Sequence, residues 1–72
     1  MTHFDSLPFQ VSKLYWRIEG NHWESLSFGF IIERIDKKFY LLHRKKNVAT
    51  CDTLTEAKGI AVTYVNEKGL KP

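Results

Sequence analysis

One cysteine, three histidines and eleven cations are the residues of this chain with the chemistry to act. Cys51 stands two residues ahead of Thr53, a threonine placed to cap a helix. A helix N-terminus can lower a thiol pKa and turn a cysteine into a nucleophile. The plainer reading, a small buried residue on a short strand, is preferred, because cysteine is among the side chains most often buried. His3, His22, His43 and Cys51 match a zinc site in number only, since structural zinc needs ligands paired at short intervals. No Gly-rich phosphate loop, Ser elbow or His-Glu-x-x-His helix occurs. The chain therefore reads as a non-enzyme with no catalytic residue, metal, cofactor or small-molecule substrate.

Two surfaces remain. The first is basic: Arg34, Lys37 and Lys38 gather at one end of the hairpin and Arg44, Lys45 and Lys46 at the other, with Lys13 and Arg17 on the first strand. Phosphate contacts need flexible cations spread along a ridge, and a small sheet fits a DNA major groove. Tyr15 and Tyr40 are placed to stack on single-stranded bases. Glu19, Glu24, Glu33 and Asp36 share the same strands and would cancel part of that field. The second surface is apolar, Ile31, Tyr40 and Leu42, on a hairpin that carries apolar residues on both faces: one takes the helix, and the other is either partly exposed or covered by residues 4–11. It suits a protein partner or, by sheet stacking, a homodimer, with Lys45 and Lys46 as rim charges toward an acidic partner. The net charge is only +3, so the protein partner ranks just ahead of nucleic acid.

The elements that must position these groups centre on Phe28 to Lys46, FGFIIERIDKKFYLLHRKK. Phe30–Ile35 and Phe39–Arg44 form a hairpin around Asp36 and Lys37 that sets Ile32 opposite Leu41 and Ile31 opposite Leu42. Before it, Leu14, Trp16 and Ile18 alternate with Lys13, Tyr15, Arg17 and Glu19, the period of a half-buried strand. Gly20 and Asn21 supply a two-residue turn that pairs Ile18 with Trp23, Arg17 with Glu24 and Trp16 with Ser25. The second strand runs from His22 to about Leu26, and Gly29 turns the chain into the third. Lys45, Lys46 and Asn47 read as a polar break before a short strand over Val48–Cys51.

Leu54–Asn66 has the pattern of a helix: Leu54, Ala57, Ile60, Ala61, Tyr64 and Val65 recur at three and four on one arc. Thr53 and Glu56 make a capping box, and Gly69 ends the helix. Gly59 falls on the opposite face and costs about 1 kcal/mol relative to Ala. Trp16 is expected to be buried between sheet and helix, beside Leu54 and Ala61. The expected fold is α+β: a three- to four-stranded antiparallel β-meander with one C-terminal α-helix packed on one face. Its parts are an N-terminal arm over 1–12, one domain over 13–69 and a tail over 70–72.

Seventy-two residues, 43% apolar and 14% aromatic, suit one compact domain and exclude a disordered chain. The lone cysteine cannot form an internal bridge, no signal peptide is evident, and no apolar run approaches membrane-spanning length. A cytoplasmic protein with no membrane association is the expectation.

The frame Leu14-x-Trp16, Trp23, Gly29-x-Ile31-x-Glu33, Tyr40-Leu41-Leu42 and Thr53-Leu54-Thr55-Glu56-Ala57-Lys58 resembles small phage- and prophage-encoded proteins. Their running pattern is L-x-W, W, G-x-Y-x-I, then T-L-x-x-A-K-x-x-A, and the match spans roughly residues 14–65. The motifs are core aromatics, a turn glycine and a helix cap. The resemblance implies a β-meander with a helix and a phage-type accessory role, and it supplies no active site. A topological likeness to the arm-site DNA-binding domains of phage integrases is a fold-level analogy.

Overall fold

The computed structural model describes residues 11–70. The chain runs β1 (Trp16–Glu19), β2 (His22–Ser25), β3 (Phe30–Ile35), β4 (Lys38–His43), β5 (Lys46–Cys51) and α1 (Leu54–Lys68). The strands form one antiparallel sheet in the order β1-β2-β3-β4-β5, a plain meander. The α+β class and C-terminal helix are as expected; the strands number five, not three or four.

The strand expected over Val48–Cys51 begins two residues earlier, where a polar break was expected. Arg44 and Lys45 take φ of 52° and 73°, the left-handed pair of a two-residue hairpin turn, so Lys46 and Asn47 already belong to β5. Asp36 and Lys37 do the same between β3 and β4, at 53° and 73°. Neither turn carries glycine. The strands on either side pair strongly enough to hold lysine and arginine in a backbone region that L-residues disfavour.

The registers follow side-chain pairing. Trp16 lies opposite Ser25, Arg17 opposite Glu24 and Ile18 opposite Trp23. Ile31 lies opposite Leu42 and Ile32 opposite Leu41. Between β4 and β5 the register shifts at Leu41 and Leu42, which face Ala49 and Asn47, so Val48 is the extra residue of a bulge. The β2–β3 loop is tied by Ser25, whose hydroxyl accepts the Phe30 N–H at 2.9 Å. Within it Phe28 takes φ 72° and buries its ring. That burial offsets a strained backbone costing about 1–3 kcal/mol.

The helix begins at Thr53, whose hydroxyl accepts the Glu56 N–H at 3.1 Å. Glu56 returns its carboxylate to the N–H of Asp52, one residue before the capping-box position. Gly69, left-handed at φ 64°, ends the helix with its N–H on the Val65 carbonyl. The helix packs on β3, β4 and β5. Ala57, Ala61 and Val65 meet Phe30, Ile32, Leu41 and Cys51, all buried. The small alanines bring the helix axis close to the sheet. Phe30 is further enclosed by His43, with ring centres 4.8 Å apart, and by the edge of Tyr64 at 5.7 Å.

Trp16 is half-buried rather than central, because the helix leans toward β5 and leaves the β1–β2 hairpin projecting past it. Its indole lines a groove with Leu14, Lys58, Gly59 and Val62. Of the expected arm, residues 1–10 lie outside the described part, while Val11 is anchored to Asn66. Leu70 of the tail packs against the core.

Candidate interaction surface

Alternation along each strand sorts the candidate residues by face. Phe30, Ile32, Phe39, Leu41 and Cys51 point to α1. Ile31, Tyr40 and Leu42 therefore share the opposite face, where α1 does not reach. Each is half-buried by its neighbours in the sheet. Among the described elements α1 is the only one that packs on the sheet, so no described residue outside the sheet covers this face, and it is open among them.

The open face continues beyond these three residues. The Leu26 N–H bonds to the Tyr15 carbonyl at 2.9 Å, extending the β1–β2 ladder by one pair. Alternation puts Tyr15 with Arg17 and Leu26 with Glu24, on the open side, and they are 64% and 65% exposed. Lys13 lies over the Tyr15 ring, 5.1 Å from its centre. The Arg44 N–H bonds to Gly29, and the Arg44 side chain lies against that glycine; a Cβ there would sit 3.4 Å from Arg44 Cγ. Sequence reasoning left Tyr15 and Leu26 out of the apolar surface. The signal was present in the hairpin register, which sets 15 opposite 26 once 17 is set opposite 24.

The cations do not gather into one ridge. Arg17 is bound by two carboxylates, Glu19 at 3.1 Å and Glu24 at 3.1 Å. Lys38 pairs with Asp52, and that contact raises its pKa. Arg34 falls on the helix side of the sheet, 6.0 Å over Phe39. Lys37 sits in the turn beside it, at one end of the sheet. Arg44, Lys45 and Lys46 sit at the other end. Phosphates spaced along one strand of nucleic acid would meet carboxylates between these two groups.

Three acidic side chains occupy the open face near β1–β3: Glu19, Glu24 and Glu33. Glu24 is held below its usual pKa, first by its hydrogen bond to His22 and then by that to Arg17. Cys51 behaves as the plainer reading expected. The residue is 3% exposed, and desolvation, followed by the nearby Glu56 and Asp52 carboxylates, raises its pKa. A protonated buried thiol is a poor nucleophile. His22 lies on the open face and His43 among the core aromatics, so they do not converge with Cys51. Among the described residues no group of His, Cys, Asp and Glu is arranged to hold a metal, and no helix is long and apolar enough to cross a membrane. Comparison with protein-family models, curated proteins and solved structures finds no match.

Proposed function

We propose that this chain is a non-enzymatic interaction module that binds protein through the open face of its sheet, as a small phage-type accessory protein. The observation that supports this most is the cross-strand pair Ile31 and Leu42 at the centre of that face, with Tyr40 beside it and Tyr15 and Leu26 along one side. An open sheet face that met only water would alternate to polar residues at its centre. The phage-type role rests on the motif resemblance alone. Nucleic acid is the weaker reading, because the cations are divided between two ends and two of them are already bound to carboxylates.

A photo-crosslinking residue in place of Tyr40, with Thr63 on the exposed side of α1 as control, tests the reading. It expects a protein adduct at position 40 that Ile31→Ser removes and that position 63 does not form. Duplex binding with a steep salt dependence, about 0.9 log unit per phosphate contacted, flattened by replacing Arg44, Lys45 and Lys46 with Ala, and no adduct at position 40, would overturn it.

A further inference from the structure

The charge pattern of the open face identifies a partner. We propose that the face pairs with a second copy of itself, about a two-fold axis that lies in the interface and runs across the strands. This rests on the reading of that face as a protein-binding surface. The axis follows the row Arg17, Glu24, Ile31, Leu42 and Asn47, which the strand registers align across the sheet. In that row Arg17 and Glu24 neutralise each other within one copy, and Ile31 and Leu42 supply the apolar centre.

Rotation about this axis exchanges the rows on either side. One row holds Glu19, His22, Glu33 and Tyr40, aligned by the same registers. The other holds Tyr15, Leu26, Gly29 and Arg44, joined by the two ladder hydrogen bonds. The first is acidic and the second, with Lys13 beyond it, is basic. Each copy therefore sets its basic row over the acidic row of the other. Arg44 comes over Tyr40 of the second copy, within reach of its Glu33, and Gly29 has no side chain to obstruct that carboxylate. Tyr15 and Leu26, the exposed large hydrophobic side chains of the row, cover Glu19 and His22. A symmetric contact requires one patch to complement itself, and this face does so in charge and in the position of its apolar centre.

The face measures about 24 Å by about 17 Å from the usual strand and residue spacings. That is less than the roughly 800 Å² per partner of a standard stable interface, so the dimer is weak and concentration-dependent.

Sedimentation of the full chain up to about 1 mM, the concentration at which even a very weak association is visible, is the test. The expected result is a monomer–dimer equilibrium that salt weakens. Arg44→Glu and Glu33→Lys, both at exposed positions, should each weaken it by about tenfold or more through like-charge contact. The double variant should recover it, because the swap restores both pairs. Circular dichroism checks that each variant is folded. A monomer at every concentration overturns the dimer. So does a dimer whose affinity the double variant does not recover, since the rows would then not be exchanged. A monomer that still forms a Tyr40-position adduct with another protein overturns only the dimer. Loss of that adduct as well overturns the protein-binding reading with it.

Discussion

Asn66 on α1 and Val11, 55 residues earlier, exchange two hydrogen bonds: the Asn66 amide donates to the Val11 carbonyl at 3.0 Å, and its oxygen accepts the Val11 N–H at 2.8 Å. One side chain thus satisfies both backbone groups of a residue that has no strand partner. It fastens the chain ahead of β1 to the last turns of the helix.

Asn66→Ala should cost about 1–3 kcal/mol, two part-buried hydrogen bonds at about 0.5–1.5 kcal/mol each. A urea melt measures the loss, and amide exchange at Val11 should accelerate with it. An unchanged midpoint would mean that this segment is not held by Asn66.

Thr53→Ala removes the acceptor for the Glu56 N–H and should cost about 1 kcal/mol. Thr55→Ala, at an exposed position inside the first turn, should cost much less. Equal losses in paired urea melts would place the start of the helix elsewhere.

Phe30→Ala should be the costlier of two aromatic truncations, at about 3–5 kcal/mol. Trp16→Ala should cost less, because the indole lines an open groove while Phe30 is 1% exposed. Thermal melts rank the two, and the reverse order would return Trp16 to the centre of the core.

Two substitutions should stabilise. Lys37→Gly relieves a φ of 73° in the β3–β4 turn and creates Asp-Gly, the favoured pair there, for a gain of up to about 1 kcal/mol. Gly59→Ala should add about 1 kcal/mol of helix propensity, since a Cβ at that position meets nothing within 4 Å. A loss of stability in either variant, read from the melting temperature, would contradict the turn geometry or the open space above the helix.

Glu24 links stability to pH. Its folded pKa lies below the ordinary 4.5, so the ionised side chain favours the fold above that value. The contribution disappears as pH falls through the lowered folded pKa. It is small, because the group is exposed to solvent. Glu24→Gln should therefore flatten the acid limb of the stability profile below about pH 5. An identical acid limb in the two proteins would show that the His22 and Arg17 bonds do not persist in solution.

Local sequence set the β1–β2 and β3–β4 registers, the helix and its cap. The reasons are local. Gly20 sets the first turn, Arg17 attracts Glu24 across it, and Thr53 binds an amide three residues ahead. The start of the fifth strand escaped because its turn, Arg44 and Lys45, has none of the glycine or asparagine that usually marks left-handed backbone. Lys46 and Asn47 are polar because they open an edge strand, and they read as a break when taken alone.

Tertiary structure decided which face is covered. Phe30, Ile32 and Leu41 compete with Ile31, Tyr40 and Leu42 for the helix, and a period of two marks both sets equally. Packing settles the choice: Phe30 fits between His43 and Tyr64, and Ile32 and Leu41 lie beneath the alanines of α1. The assembled sheet then leaves Tyr15 and Leu26 exposed beside the other set, as the β1–β2 register implied, and ties Arg17 and Lys38 to carboxylates. A strand's sequence records which residues share a face; which face is left open depends on elements far along the chain that pack against it.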